Sequence, residues 1–524
     1  MENGLTICER RSSLRRRRIL QAGLAGAFSG ALIIGGAALA EDAAVADANP
    51  KKAAHAKPKK AAQAKPGAPA KAASGGGLSP EDQARAAAYA ASPARFDHTY
   101  GYKGWDFHFP SFGDSLLQDY GGWRSALAAA GFGFMEYNAQ IGAINMLNVP
   151  TSGPGPSVAT PSKPNAPPSR QQYWGQRPSL LNDSLAFLTY DTSRYGIPDG
   201  QISISGQYSW SSQQHYLYNK LSLNGLAWYQ TLFNKALEVK IGYIANGTEW
   251  IGTVVGGNFA SPFGASAFIP YEMGLTQTPT VQPTARGTWH ITDTLYDQFG
   301  VMRSMPVHGP TGDIFFDDGY YNPSGFRFEV PNGRLLAMNE LGYKNEAAPN
   351  IPSTWIRAGA QYNTSKFVNY QTGGTTTGVG AGYFLADRQL WQIAPQSPFT
   401  AYRGIYAGVS AMYAPPENNA FSQYYEGRLY YIGLFDSRPR DQLVLVYSHN
   451  VFSRYAADLA NKFSAFTGVS ARHASNSITT AYTANLMPGI YATAGVVYTD
   501  HPSFPYTKTE GSTFSFLYSL FTVF

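Results

Sequence analysis

From Gly131 to its last residue the chain is written in stretches of about ten residues. In each, apolar or aromatic side chains alternate with small or polar ones, and clusters of Gly, Pro, Asn and Asp separate the stretches. Because successive residues of a strand point to opposite faces, each stretch has one oily and one polar side. Leu237, Val239, Ile241 and Tyr243 oppose Glu238, Lys240 and Gly242. Ile356, Ala358, Ala360 and Tyr362 oppose Arg357, Gly359, Gln361 and Asn363, and Ile405, Ala407, Val409 and Ala411 oppose Tyr406, Gly408 and Ser410. A soluble β-sandwich also alternates, but it seldom places so many Tyr and Trp at strand ends.

Composition separates the remaining classes. Charged residues are only 14% of the chain and aromatics another 14%, which fits a barrel wall with aromatic girdles. A membrane helix needs about 20 consecutive apolar residues, and only one such stretch occurs, near the start. Any spanning part must therefore be β, and the fold class expected is an all-β transmembrane antiparallel barrel. Sixteen strands are expected, starting near residues 131, 184, 201, 219, 236, 286, 324, 334, 354, 379, 403, 424, 442, 477, 490 and 513. An even number lets both ends of the chain lie on one side of the membrane. Residues 285–306 could hold one strand or two. This count places the tight Pro331-Asn332-Gly333 hairpin outside and the long 306–325 connection inside.

The first 130 residues read differently. Arg10, Arg11 and Arg15 to Arg18 precede an apolar run from Ile19 to Leu39, closed by Ala38-Leu39-Ala40, the pattern of a signal peptide over residues 1–40 with cleavage near Ala40. Residues 41–78 are mostly Ala, Lys and Pro and too poor in large apolar groups to fold, so a disordered periplasmic arm is expected there. Its lysines could touch peptidoglycan, although a solvated spacer is the simpler account. Residues 79–130 form a short helical periplasmic segment in this reading. Ser79-Pro80-Glu81-Asp82 starts one helix, running toward Ala91, and Trp123 to Ala130 forms another, stopped by Gly131. The barrel takes 131–524.

Charge and cysteine usage exclude several functions. Six Arg against two Glu in residues 1–40, and seven Lys against three acids in 41–80, outweigh the whole-chain charge of +6. The body of the chain is thus slightly acidic, and nucleic acid is not an expected partner. The one cysteine, Cys8, lies in the expected leader, which leaves no thiol for a disulfide, a zinc site or a nucleophile. No G-x-S-x-G, H-E-x-x-H or P-loop pattern occurs, and Gly312-Asp313 with Asp317-Asp318-Gly319 lacks the spacing of a calcium loop. Neither a catalytic residue, a metal nor a cofactor is assigned, and an enzyme is not expected.

What can be read of function lies in one loop and the polar strand faces. The connection after the fifth strand, about 246–283, is far longer than the Phe233-Asn234-Lys235 turn before it. Long connections belong outside, and one that folded into the lumen would make a filter of an open tube. It contains Glu249, Trp250, Asn258, Phe259 and Phe263. Hydrogen-bonding groups beside aromatic faces suit sugars, whose hydroxyls need partners and whose C–H faces pack on rings. On the polar strand faces Glu238, Lys240, Arg357, Glu426 and Arg428 are the lumen candidates. The last strand alternates Phe514, Phe516, Tyr518 and Leu520, and terminal Phe524 is the candidate signal to the outer-membrane assembly machinery.

Asp119-Tyr120-Gly121-Gly122-Trp123-Arg124, KIGYIANGTEW at 240–250, RGIYAGVSAMYAPPENN at 403–419 and YYEGRLYYIGLFDSRPRDQ at 424–442 occur in the order of a known family. Over residues 114–524 the chain resembles the OprB family of carbohydrate-selective porins. The resemblance implies a sixteen-stranded barrel in the outer membrane of a Gram-negative bacterium, surrounded by its lipid and passing small carbohydrates, often glucose, and ions. It also implies an arginine-containing eyelet, for which Arg357 is the candidate here. The Ala/Lys/Pro arm and the Pro-rich stretch 149–169 look like additions to the family pattern. The alternative weighed is an outer-membrane pore or docking partner for exopolysaccharide export.

Overall fold

The computed structural model describes residues 79–105, 110–147, 175–212, 220–251, 269–276, 280–307, 321–322, 324–462, 471–500, 502 and 511–524. Sixteen antiparallel strands, each paired with its sequence neighbours, close into a barrel in which β16 pairs back onto β1. They are β1 Phe132–Asn145, β2 Ser179–Asp191, β3 Gln201–Ser211, β4 Lys220–Leu232, β5 Leu237–Ile244, β6 Gln282–His290, β7 Leu295–Arg303 and β8 Leu335–Asn345. The second half is β9 Thr354–Val368, β10 Thr375–Gln392, β11 Gly404–Tyr413, β12 Phe421–Ile432, β13 Gln442–Phe452, β14 Ala474–Met487, β15 Ile490–Thr499 and β16 Thr513–Val523. Closure leaves no unpaired strand edge, which is what backbone polar groups require in lipid. At the seam, Phe524 and Glu136 exchange backbone hydrogen bonds of 2.7 and 3.2 Å.

The wall is inside out relative to a soluble protein. Along β3, Gln201, Ser203, Ser205, Gln207 and Ser209 are buried, whereas Ile202, Ile204 and Tyr208 are 45–48% exposed. The same inversion holds on β16, where Phe514, Phe516, Tyr518 and Leu520 face outward between Ser515 and Ser519. Exposed Trp228, Trp289, Tyr343 and Trp391 gather near the barrel end where the chain enters, the near end, and Tyr208, Tyr413, Tyr425, Tyr447 and Tyr498 toward the far end. Two aromatic girdles around an aliphatic belt mark a surface that meets lipid, and the porin-type fold implies the outer membrane.

The expected count of sixteen stands, but one strand was misplaced. Residues 282–303 hold two strands, β6 and β7, joined by a tight turn at 291–294. No strand starts near 324. Phe326 and Phe328 are exposed, and Val330 makes only an isolated bridge to Gly333. The connection from β7 to β8 therefore leaves and rejoins the wall at the far end, which corrects the parity that put 306–325 at the other end.

Before the barrel, Pro80–Ala91 is a helix capped by the Ser79 side chain on the N–H of Asp82. Trp123–Ala130 is another, ended by Gly131 at φ 92°, a left-handed conformation that glycine adopts without a Cβ clash. Residues 1–40, expected as a leader, 41–78, expected as an arm, and the Pro-rich stretch 149–169 lie outside the described residues.

Candidate functional site

Loop 3, the connection 245–281, enters the barrel from the far end. Its two ends are stapled first. Asn246 donates through its amide to Thr284 Oγ1 at 2.7 Å and Gln282 Oε1 at 3.0 Å, and Gln282 donates to the Gly274 carbonyl at 2.7 Å. Between the staples, Glu249, Trp250 and Ile251 are buried in the lumen. Gly300 on β7 makes the room: a Cβ there would lie 2.7 Å from the Trp250 ring.

Two cations on the wall hold the loop by its carboxylate. Lys240 Nζ is 2.6 Å from Glu249 Oε1, and Arg286 Nη1 is 2.8 Å from Glu249 Oε2. All three side chains are at most 3% exposed. Gln298 donates to the Glu249 carbonyl at 2.6 Å. Arg357 then spends both Nη atoms on the loop backbone, at 3.0 Å to the Trp250 carbonyl and 2.9 Å to that of Ile251. Its guanidinium also stacks 3.7 Å from the Trp355 ring centroid. Arg357 is thus a clamp on loop 3.

The returning limb of the loop is apolar. Ile269, Tyr271, Met273 and Leu275 pack against Met302, Leu336, Met338, Phe367, Met412 and Phe421 on the inner wall. Glu272, in the short helix Ile269–Glu272, accepts the backbone N–H of Phe421 at 3.0 Å. Burial pushes its carboxyl up to about 8, against the opposite pull of the Phe421 and Ala420 amides. A folded value above the unfolded one means that the docked loop favours the neutral acid. That contribution is complete below about pH 4.5 and is lost as pH rises through about 8. Loop 3 should accordingly loosen progressively from about pH 4.5 to about pH 8 and no further above it, seen as rising open-channel noise in a planar bilayer. Glu272→Gln should flatten that dependence, and an unchanged pH response in the variant would refute the assignment.

A second charged cluster lines β10–β12. Arg428 grips Asp387 with two bonds, 2.9 and 2.5 Å, and reaches Glu426 at 2.9 Å and Ser410 at 2.7 Å. Tyr430 donates to Asp387 and Tyr424 to Glu426. The Asp387 side chain keeps 21% exposure, so it carries the part of this network open to solvent. Glu238 sits nearer the chain-entry end, 2.8 Å from His290.

Of the residues singled out in the sequence, Glu238, Lys240, Arg357, Glu426 and Arg428 do project inside, and Glu249 and Trp250 meet Lys240, Arg286, Gln298 and Arg357, the wall residues that hold loop 3. Asn258, Phe259 and Phe263 lie outside the described residues. Arg286, Gln298 and Asp387 were missed. Arg286 was legible, because Gln282, Thr284, Arg286 and Thr288 alternate onto one face; which residue answered its charge was not.

A search of curated proteins finds no match. Among solved structures, the high-pH form of Pseudomonas putida OprB is similar with a TM-score of 0.62 at 14% identity, covering 78% of this chain and 98% of that one. Its low-pH form gives 0.46 at 12% identity over the same shares, and a Rh. blastica porin mutant gives 0.40 at 6% identity, over 75% of this chain and 100% of that one. The first of these likenesses agrees with the closed porin barrel described above. A family model described as carbohydrate-selective porin, OprB family, matches residues 159–516, more than half of the sequence, and the chain belongs to that family.

Proposed function

We propose that this barrel lets small, glucose-like carbohydrates, and ions with them, diffuse passively into the periplasm, which the chain-entry end faces. The observation that carries the reading is loop 3 lashed inside the lumen by Lys240, Arg286 and Arg357, which turns a wide tube into a filter lined with charges and rings. Fixed charges can orient sugar hydroxyls, and the ring faces can meet C–H surfaces. In the same reading residues 1–40 are a cleaved leader, the lysines of 41–78 touch peptidoglycan, and Phe524 signals to the assembly machinery. No step of the proposed passage requires catalysis.

Reconstituted protein should speed glucose entry into liposomes, and glucose should block bilayer current where neutral solutes of similar size do not. Uptake no faster than in protein-free vesicles would reject the porin. Removing residues 41–78 should leave conductance unchanged. If that removal abolishes transport, the arm is part of a docking device and the exopolysaccharide-export reading gains instead.

A further inference from the structure

The lumen is entered from both ends. Just before the barrel begins, Gly101–Trp105 runs inside the near end along β2–β6. It is fixed at the rim first. Thr189 Oγ1 donates to the Tyr100 carbonyl at 2.5 Å, Gln201 donates to the Gly101 carbonyl at 2.8 Å, and the Lys103 N–H donates back to Gln201 at 3.1 Å. Deeper in, Tyr102, Trp105 and Phe187 form a triangle of rings with centroids 5.0–5.3 Å apart. The deepest contacts are with the cations that hold loop 3. Lys240 Nζ donates to the Lys103 carbonyl at 2.9 Å and lies 4.1 Å from the Tyr102 ring centroid, and Arg286 Nη1 donates to the Gly104 carbonyl at 2.7 Å.

Position 104 is built for this approach. Its φ is +88°, and a Cβ would sit 2.9 Å from Arg286 Nη2 and 3.0 Å from Lys240 Cδ. Only glycine brings the backbone so close to both cations without strain. Lys240 and Arg286 therefore serve two clients at once, the carboxylate of loop 3 from the far end and the carbonyls of Gly101–Trp105 from the near end.

We propose that Gly101–Trp105 is the second half of the constriction, a strap that narrows the lumen from the end opposite loop 3 and positions loop 3 through the shared cations. Lys103 and Gly104 are positioning residues, and the strap sets the largest carbohydrate admitted. The proposal rests on the porin reading above.

Two variants test it in the full-length protein. Gly104→Val evicts the strap by a side chain its backbone cannot carry. The double variant Tyr102→Ser with Trp105→Ser removes the ring triangle without adding bulk, and so keeps the question answerable if the valine variant does not fold. Folding is read from the heat-modifiable gel shift of a closed barrel. Either folded variant should raise single-channel conductance roughly two-fold, with noisier open levels, and admit in liposome swelling a trisaccharide that the unmodified protein excludes. Folded variants with unchanged conductance, noise and solute limit would overturn the strap while leaving the porin intact. An unmodified protein that does not conduct would overturn the porin reading, and the strap with it.

Discussion

Replacing Ile204 with arginine is expected to cost about 2–4 kcal/mol of barrel stability in a bilayer, while the same change at Tyr208 costs about 0–1 kcal/mol. Both residues point outward from β3 and are equally exposed, at 45%. Ile204 pairs across the outer face with Leu188 and Leu226, in the aliphatic belt, so a guanidinium there must leave water for hydrocarbon or drag water in. Tyr208 lies in the far-end girdle, where the longer arginine reaches the headgroups. Urea-dependent folding into liposomes measures both numbers. In a soluble sandwich Ile204 would be an ordinary surface residue, and arginine there would be neutral or helpful. Equal stability of the Ile204→Arg variant and the unmodified barrel would thus remove the argument for a lipid-facing wall.

That contrast also explains how much of the fold could be read beforehand. Alternation is a local property that survives in sequence, so β3, β5, β9, β11 and β16 and the facing of Lys240, Arg357 and Arg428 were legible. It failed where a loop imitates a strand: Phe326, Phe328 and Val330 alternate, yet they join no strand ladder, and Val330 makes only an isolated bridge to Gly333. It also undercounted where two strands meet at the four-residue turn 291–294, with no glycine or proline to mark it. The site was half legible for a different reason. A charged residue on a polar face announces that it looks inward, but its partner is set by closure. Glu249 meets Arg286 across 37 positions and Gly104 meets Arg286 across 182, and nothing local records either pairing. The segment 101–105 gave no signal, since its function lies in backbone carbonyls that every residue possesses.

Glu249→Gln is expected to raise anion permeability about five-fold and to lower cation permeability by a similar factor, because it strips the counter-charge from two buried cations. The amide keeps the size of the carboxylate, so the Lys240 and Arg286 contacts are lost in charge and not in shape. Breaking a buried pair by removing one partner costs about 3–5 kcal/mol, since the cations left behind are unpaired. Against that, loop 3 retains the two Arg357 bonds, the Gln298 bond and the burial of Trp250, together worth more than the loss at about 1.5–3 kcal/mol for each charged bond and for the ring. The loop should therefore stay docked. The cheaper relief is for Lys240 or Arg286 to turn toward the lumen water. One added positive charge about 4 Å from a passing ion changes its energy by about 1 kcal/mol even at the permittivity of water, which is the five-fold figure. Reversal potentials in a salt gradient read it directly, and high salt should shrink it. Adding Lys240→Met to Glu249→Gln restores the net charge and should return the selectivity. If the single variant keeps the original ion preference, Glu249 does not neutralise the constriction, and the account of loop 3 as an electrostatically held filter fails.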